Sequence, residues 1–364
     1  MAHETGTIPE AVLEKIARAR EIRRRRFALR DTHVTMSHGS GGKATHNLVE
    51  GVFAPSFSNP ALDRMDDAGL LEAAGTLAFT TDSYVVSPLV FPGGDIGCLA
   101  VHGTINDLAM AGAWPLGLSA AFILEEGYPV ADLQALVDSM AAAARAAGVP
   151  VVTGDTKVVP QGHGDGVYIT TAGIGRVIAP APVGQHLARP GDRVLVSGQV
   201  GNHGVAVMLA RGEVGVEASV TSDTAPLHTL VRALLEAVGP AVHCLKDPTR
   251  GGVATTLNEI ALASEVAIAL EERAIPVHPA VTGVCELLGL DPLTIANEGK
   301  LLAVVAPEAA ARALEVLRAH PLGRDAAIIG EVAAEPAGMV FLRTDIGGTR
   351  VLDMLVGDPL PRIC

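Results

Sequence analysis

The chain alternates between two hydrophobic spacings, one typical of strands and the other typical of helices. Apolar runs or alternations of strand length occupy residues 76–86, 116–124, 149–155 and 166–178. Between them, residues 95–113 and 130–148 repeat apolar positions every three or four residues, as the buried face of a helix does. The pattern from residue 31 onward therefore predicts a mixed sheet covered by helices.

A second alternation follows a stretch rich in proline and glycine at residues 179–192. Strands are predicted at 193–198, 241–245, 266–271, 300–306, 326–333 and 338–343. Helices are predicted from about Val205 and at 224–238, 251–265, 280–289 and 307–320. After residue 345 the pattern fades, and we expect no residue of that segment to face a core.

This order of strands and helices is typical of an α+β protein, with the strand-helix alternation of an α/β protein in both halves. We predict five parts: a basic extension (1–30), an N-terminal domain (31–178), a linker (179–192), a C-terminal domain (193–345) and a mobile tail (346–364). The length of 364 residues suits two domains of about 150 residues each.

Composition and charge exclude several classes of protein. Hydrophobic residues make up 49% of the chain and aromatic residues only 3%, so the core must consist mainly of aliphatic side chains. The net charge of −13 argues against general nucleic-acid binding, because most of the surface would repel a polyanion. The most apolar stretch, residues 96–124, carries His102, Asn106 and Asp107, and the first residues lack an apolar leader. We therefore expect a cytoplasmic protein without a membrane segment.

The first 30 residues depart from this acidic average, with eight basic residues against four glutamates. Four arginines, Arg23 to Arg26, follow one another in this extension. One interpretation is a solvated amphipathic helix that begins with a capping box at Thr7 and Glu10. The other is an arm that docks onto a partner or a nucleic acid, and the sequence leaves both open.

Four aspartates stand where predicted elements or loops end: Asp82, Asp107, Asp155 and Asp247. Carboxylates gathered on one side of a sheet are hard oxygen ligands that suit Mg²⁺ and the phosphates it bridges. Each aspartate taken singly is also typical of a turn or a helix N-cap. The sequence thus offers a magnesium-phosphate site as a hypothesis.

Two glycine-rich stretches could complete such a site. "HGSGGK", residues 38–43, and "DPTRGGV", residues 247–253, can present main-chain N–H groups to phosphate, with Lys43 and Arg250 as positive charges. Neither stretch matches the Walker A pattern, and ordinary turns remain an alternative for both.

Polar residues interrupt an apolar region at "NEGK", which contains Asn297, Glu298 and Lys300. Burying such groups costs free energy unless they are paired. The stretch therefore indicates either a buried hydrogen-bond network or the edge of an active site.

The four cysteines are scattered, with no spacing typical of a zinc site. Cys98, Cys244 and Cys285 are expected to be small core residues. Cys364 differs because it ends the chain after a segment with two prolines, so no core position is expected for it. Its pKa is not expected to be low, since its own α-carboxylate raises it while Arg362 lowers it.

Several motifs, taken in order, resemble the HypE family, the carbamoyl dehydratases of hydrogenase maturation. They are "HGSGGK", "GTINDLAMAGA", "VTGDTKVV", "DPTRGGV", "ANEGK" and "PLPRIC". The resemblance runs from about residue 33 to the final residue and leaves out the basic extension. It implies the two-domain, ATP-binding fold of aminoimidazole ribonucleotide synthetase and a homodimer formed through the first domain.

In that family the terminal cysteine is itself the substrate. The resemblance implies that a carbamoyltransferase, HypF, places a carboxamide on the sulfur of Cys364. This protein would then dehydrate the carboxamide to a thiocyanate with ATP and Mg²⁺. The cyano group would finally pass to the iron of NiFe hydrogenase on a HypC–HypD scaffold.

The resemblance also implies roles for single residues. Cys364 would carry the reacting group, Glu298 would act as the base, and Lys157 would polarise or orient the carboxamide oxygen. ATP is expected at Gly41, Gly42, Lys43, Asp82, Asn106, Asp107, Asp155, Thr249 and Arg250. Mg²⁺ is expected at Asp82, Asp107, Asp247 and Asp67.

Two other functions stay open. A small-molecule kinase or synthetase could use the same fold, although it leaves "PLPRIC" without a purpose. A non-enzymatic assembly scaffold could offer Cys364 as a soft metal ligand. ATP hydrolysis that depends on a carbamoylated tail would separate the dehydratase from the scaffold.

Overall fold

The computed structural model describes residues 31–39, 43–60, 62–64, 71, 73–212, 215, 218–354 and 362–364. The basic extension lies outside the described residues, as do Gly41, Gly42, Asp67 and the side chain of Lys43. Within the described ranges, no helix is both long and apolar enough to cross a membrane.

The first half is built on a four-stranded sheet in the order β1–β6–β4–β5. The strands of this half, in chain order, are β1 (Leu77–Tyr84), β2 (Val90–Phe91), β3 (Gly94–Asp95), β4 (Ala113–Glu125), β5 (Val151–Val159) and β6 (Val167–Val177). Strand β4 runs parallel to β5 and antiparallel to β6, and β6 runs antiparallel to β1. The short strands β2 and β3 form a separate hairpin.

Helices cover one face of this sheet. They are α1 (Lys43–Leu48), α2 (Ala54–Phe57), α3 (Ile96–Met110) and α4 (Val130–Ala147). Helix α3 begins where the Asp95 side chain accepts a hydrogen bond from the Cys98 N–H at 2.9 Å. Helix α4 ends at Gly148, whose φ of +69° suits glycine and stops the helix as its sequence predicts. The other face of the sheet is open, and Phe79 there is 71% exposed.

The second half contains a seven-stranded sheet in the order β13–β12–β9–β11–β7–β10–β8. Its strands are β7 (Arg193–Val196), β8 (Val242–Lys246), β9 (Ala267–Glu271), β10 (Leu302–Val305), β11 (Ala327–Ala333), β12 (Val340–Arg343) and β13 (Thr349–Val351). Its helices are α5 (Asn202–Ala210), α6 (His228–Val238), α7 (Gly252–Ser264), α8 (Pro279–Leu288) and α9 (Ala310–Ala319). All neighbouring strands pair antiparallel except β9 and β12, which are parallel.

Two differences from the sequence prediction matter for the site. Helix α6 begins at His228 rather than near residue 224, because the preceding residues are held by contacts to the first half. The segment after residue 345 was expected to lack a core face, and that was wrong. Strand β13 pairs with β12 there, and Leu352 is only 3% exposed.

The two halves are joined at the end of α3. The Asn106 side chain is 1% exposed and donates hydrogen bonds to the main-chain oxygens of Ala225 (3.1 Å) and Glu298 (3.0 Å). Its own oxygen accepts from the Leu227 N–H at 2.8 Å. One buried amide therefore fixes two loops of the second half against the first. These are the loops that build the candidate site.

Candidate active site

The last three residues lie inside the protein. Ile363 is 5% and Cys364 is 8% exposed, and both belong to the apolar core of the first half. The Ser87 N–H donates to the main-chain oxygen of Arg362 at 3.0 Å, and the Val85 N–H donates to that of Cys364 at 3.3 Å. The expectation that Cys364 has no core position was therefore wrong. Donors just after β1 hydrogen-bond to the main chain of the terminal residues, which offsets part of the cost of burying them.

The thiol of Cys364 faces Arg250, whose Nε donates to Sγ at 3.2 Å. Burial and, after it, Glu298 raise the pKa of this thiol to about 12, although Arg250 acts in the opposite direction. From the sequence we expected a pKa that is not low, and that is what the structure shows. The cause, however, is burial and Glu298 rather than the α-carboxylate and Arg362. The thiol is therefore protonated at neutral pH in this position and is a poor nucleophile.

Glu298 is the most unusual carboxyl group of the site. It is 3% exposed, and its Oε1 has no hydrogen-bond partner among the described residues. Burial raises its pKa well above the usual range, and repulsion from Asp247 and then Asp223 adds to this. A buried group without a partner costs folding free energy, and such costs are concentrated at functional sites.

The other polar residues of "NEGK" are structural. The Asn297 side chain accepts from the Gly201 N–H at 2.7 Å and donates to the oxygen of Pro248 at 2.9 Å. Lys300 forms a buried ion pair with Asp223, at 3.2 Å between Nζ and Oδ2. The hypothesis of a buried hydrogen-bond network therefore applies to Asn297 and Lys300. The hypothesis of an active-site edge applies to Glu298, whose acid is unpaired.

Asp223 was missed by the sequence analysis. Its Oδ1 accepts from the Glu298 N–H at 3.1 Å and its Oδ2 from the Gly299 N–H at 3.4 Å. A Cβ at position 299 would lie 1.8 Å from the main-chain oxygen of Asp223, so only glycine allows this approach. No periodic signal marks the loop, because it is held by contacts from distant parts of the chain.

Three of the predicted aspartates gather on the covered side of the sheet. They are Asp82 in β1, Asp107 in α3 and Asp247 in the loop after β8. The Thr80 hydroxyl donates to Asp107 at 2.9 Å. Burial raises the pKa of Asp107, and Asp82 adds to this. Burial and, after it, Asp107 raise the pKa of Asp247 to about 7. The three carboxyl groups are therefore close enough to repel one another.

These carboxyl groups fit Mg²⁺ by their chemistry but do not enclose an ion by themselves. Among the described residues, no three His, Cys, Asp or Glu side chains are grouped closely enough to hold a metal. Mg²⁺ commonly takes only one or two carboxylates and completes its shell with water and substrate phosphates. The concentrated negative charge therefore suits a Mg²⁺ site whose remaining ligands come from the phosphates of a nucleotide.

Lys157 and Asp155 lie on the other face of the sheet. Asp82 is paired with Thr171, which hydrogen-bonds to Thr104 of α3, so this side of β1 faces the helices. Asp155 follows the opposite alternation, since its partner Ala121 pairs in turn with Thr170, which bonds to Ser83. Lys157 is two residues further on and shares this open face.

On that open face Lys157 pairs with Asp155 at 2.8 Å, and both side chains are more than 60% exposed. The hydrogen bond from Lys157 lowers the pKa of Asp155. The structure therefore brings Glu298 to Cys364 but leaves Lys157 apart from them within the chain.

Asn106 also differs from its predicted role as an ATP ligand, because both of its donors are used by main-chain oxygens.

Two family models match the chain. The N-terminal domain of AIR synthase related protein matches residues 65–177, and the C-terminal domain of the same description matches residues 189–343. Carbamoyl dehydratase HypE of Azotobacter vinelandii is 57% identical over 344 residues, which cover 93% of this chain and 99% of that protein. The chain belongs to the HypE family.

The HypE family consists of carbamoyl dehydratases of hydrogenase maturation, so the predicted activity and the predicted AIR synthase-like α+β fold are both confirmed. A HypE solved in complex with ATP is 49% identical, with a TM-score of 0.87 over 91% of this chain and 99% of that one. The HypE of a HypE–HypF complex is also 49% identical, with a TM-score of 0.75 over 85% of this chain and 99% of that one.

Proposed function

We propose that this member of the HypE family uses ATP to dehydrate an S-carboxamide on its own Cys364 to an S-cyanate, which becomes the CN ligand of the iron in NiFe hydrogenase. One observation carries the proposal. The thiol of the final residue is buried beside Arg250 and close to an unpaired, buried Glu298. A small-molecule kinase on this fold would have no use for that arrangement.

The reaction balances when phosphate carries the oxygen away. The γ-phosphoryl group of ATP is transferred to the carboxamide oxygen, and ADP leaves. The carbon–oxygen bond then breaks with release of phosphate, while the nitrogen loses two protons and the C≡N bond forms. The S–C bond stays intact throughout. A hydroxide would be a poor leaving group, which is why phosphorylation must come first.

We assign the proton transfer from nitrogen to Glu298. Its unpaired Oε1 can accept an N–H hydrogen bond from a carboxamide on the neighbouring sulfur. Its main chain is held by Asp223 on one side and by Asn106 on the other, so the carboxyl group has a defined position. The raised pKa makes its ionised form a stronger base than a solvated glutamate.

We propose that Mg²⁺ is held by Asp82, Asp107 and Asp247, with Asp67 as a further expected ligand. If Mg²⁺ binds at these residues, it would supply positive charge to neutralise the transferring phosphoryl group. The mutual repulsion of the three carboxyl groups supports this assignment, because a cation would relieve it. ATP would be held by the loops at Gly41, Gly42 and Lys43 and at Thr249 and Arg250, and a relative solved in complex with ATP supports the binding of ATP.

We propose a homodimer formed through the open face of the N-terminal sheet. Leu77, Phe79 and Ile123 expose 46%, 71% and 39% of their surface, and the last two share the open face with Lys157. Exposed apolar side chains of this kind favour burial against a second copy. A Lys157 that acts on the carboxamide would then come from the partner copy, since its own Glu298 is on the other side.

Carbamoylation requires a different position of the tail. A thiol that is 8% exposed with a pKa of about 12 cannot attack a carbamoyl donor held by another protein. We propose that HypF meets the tail outside the protein and that a HypC–HypD scaffold receives the cyano group. A relative solved in complex with HypF supports the first partner. All four cysteines are free, which suits a reducing cytoplasm.

Intact-mass measurement tests the proposed function. The protein is incubated with the carbamoyltransferase, carbamoyl phosphate and ATP, and peptides are then mapped. We expect a mass increase equal to a cyano group in place of one hydrogen, confined to Cys364. Cys364→Ser is the matched control and should show no increase. A modification on Cys98, Cys244 or Cys285, or a carboxamide that persists with ATP present, would refute the proposal.

A further inference from the structure

Side chains of both halves also hold the chain terminus. His203 Nε2 lies 2.8 Å from the main-chain oxygen of Ile363, and Arg211 Nη2 donates to that of Arg362 at 2.7 Å. The Arg362 guanidinium forms an ion pair with Asp165 at 3.0 Å. We propose that His203, Arg211 and Asp165 form a receptor for the terminal tripeptide Arg-Ile-Cys, in which Asp165 recognises the Arg362 side chain, and that His203 is the positioning residue that fixes the thiol against Glu298.

The hydrogen bonds around His203 define its protonation. The oxygen of Ile363 can only accept, so Nε2 carries the proton. Because the neutral ring carries its proton on Nε2, Nδ1 accepts a hydrogen bond from the Ser222 hydroxyl at 2.8 Å, while Ser222 Oγ accepts from the Thr224 N–H at 3.1 Å. The imidazole is fully buried and neutral, with burial lowering its pKa. Phe91 packs edge-on at 5.4 Å between ring centroids.

An ordinary core histidine would satisfy both nitrogens within its own part of the fold. Here Nδ1 is satisfied by the neighbouring loop, but Nε2 bonds only to the tail among the described residues. When the tail leaves, this donor loses its partner. The arrangement is therefore a donor built for the terminus rather than a packing feature of the second half.

The receptor sets the register of the tail. The main-chain oxygens of Arg362 and Cys364 accept from Ser87 and Val85, and the oxygen between them accepts from His203. A shift of one residue would exchange the carbonyl groups on the two sides and turn the thiol away from Arg250. Arg362 is held at a φ of +59°, in the left-handed region that non-glycine residues seldom adopt. Donors from Ser87 and Arg211 on its carbonyl oppose the strain.

The same loop also positions the base. Ser222 orients His203, and the next residue, Asp223, accepts from the main-chain N–H of Glu298 at 3.1 Å. Thr224 contacts His102 of α3 at 3.0 Å. Thiol and base are thus held by adjacent residues of one short loop. Loss of the His203 hydrogen bond should misplace the thiol relative to Glu298 without changing the ATP site.

Thiol protection in the full-length protein tests this receptor without relying on catalysis. The rate at which iodoacetamide alkylates Cys364 is measured at fixed pH by peptide mapping, with buried Cys285 as an internal monitor of unfolding. We expect His203→Ala to raise the rate about tenfold, as the loss of a buried hydrogen bond predicts. His203→Gln retains a donor at the same distance from the main chain and should stay within about threefold of the parent.

Two further variants complete the test. His186→Ala makes the same change at an exposed histidine and should leave the rate unchanged. Exchange of the last two side chains before the thiol, by Arg362→Ile with Ile363→Arg, should raise the rate about tenfold because the ion pair and the apolar contact are both lost. Ser222→Ala removes the partner of Nδ1 and should raise the rate less than His203→Ala does.

An unchanged alkylation rate in His203→Ala would overturn the proposal, as would a His203→Gln variant no better protected than His203→Ala. If Cys285 is alkylated as fast as Cys364 in the histidine variants, they are unfolded, and the tail-exchange variant decides alone. The inference rests on the proposed function only in naming Cys364 as the reacting residue. In the dehydration assay, His203→Ala should lower kcat and leave the KM for ATP unchanged. Protection that follows these expectations in a protein that forms no cyanate would refute the proposed function and leave the receptor standing.

Discussion

On the open face of the N-terminal sheet, Lys157 and Asp155 form a solvated pair at 2.8 Å, and the lysine lowers the pKa of the aspartate. On the face covered by α3, Asp82, Asp107 and Asp247 gather near Glu298, and the pKa values of Asp107, Asp247 and Glu298 are all raised. Charges on the first face neutralise each other in water. Lys246 and Arg250 compensate only part of the negative charge on the second face, so an incoming cation or proton would relieve the repulsion that is left.

The two faces of one chain hold different parts of the proposed reaction site. The covered face has the Cys364 thiol together with the proposed base and the proposed metal ligands, but the predicted polarising lysine is on the open face. Neither face holds the whole set of groups that we propose for the reaction. A second copy packed against the open face would bring Lys157 of one copy close to Cys364 and Glu298 of the other.

The largest expected effect is at Glu298. Glu298→Gln should accept the carbamoyl group but lose dehydration by about a thousandfold, because an amide cannot take protons from nitrogen. The same change should raise the free energy of unfolding at neutral pH by about 1 kcal/mol, since a neutral amide avoids the cost that burial and neighbouring carboxylates impose on an acid whose pKa they raise. Intact mass and urea unfolding are the two measurements. Normal cyanate formation by this variant would remove Glu298 from the role of base.

Mixed dimers test whether Lys157 acts across the open face. Lys157→Ala and Glu298→Gln are each expected to be inactive, but mixing them in equal amounts should recover about a quarter of the parent activity if a site takes one residue from each copy. The matched control is Glu298→Gln mixed with Cys364→Ser, which should recover nothing because base and thiol come from the same chain. An absence of recovery in the first mixture would place both residues in one chain's site.

Removal of one charge from the covered face should have a smaller effect. Asp82→Asn and Asp107→Asn are each expected to weaken Mg²⁺-dependent ATP binding about tenfold, because one carboxylate ligand is lost. Asp155→Asn on the open face is the comparison variant and should change ATP affinity less. Isothermal titration with ATP and Mg²⁺ measures all three. Equal affinities for the parent and both covered-face variants would contradict the metal assignment.

Much of the fold could be predicted because hydrophobic spacing reports burial directly. The sequence places α3 and α4 within a few residues, and Gly148 marks the end of α4. Strand β13 could not be found in this way, because its three residues are all exposed and give no alternation. The start of α6 was placed too early because the residues before His228 are held by hydrogen bonds from α3.

The site could be predicted only as far as motifs reach. Glu298 and Cys364 were singled out by the stretches that contain them, and both lie at the buried site. His203 and Asp223 were not, because their partners are distant in sequence and no local pattern reports such contacts. The burial of Cys364 escaped prediction for the same reason, since the donors that satisfy its main chain follow β1. The face occupied by Lys157 follows only from the strand pairing.

The smallest expected effect is a pH dependence that only the covered side should show. Burial lowers the pKa of His203 while the tail is docked, against Asp223 and the Ile363 carbonyl, which raise it. Undocking opens the ring to water and returns its pKa toward about 6.5. Docking is thus fully favourable above that value and weakens as the pH falls through it, by at most about tenfold per unit. The measurement is the reaction rate of Cys364 with 4,4′-dithiodipyridine in the parent, divided by the rate in His203→Gln at each pH, so that changes in thiol ionisation cancel. We expect the ratio to rise as the pH is lowered from 7.5 to about 5.5, while Asp155→Asn behaves as the parent does. A ratio that stays constant over this range would show that His203 does not titrate with docking.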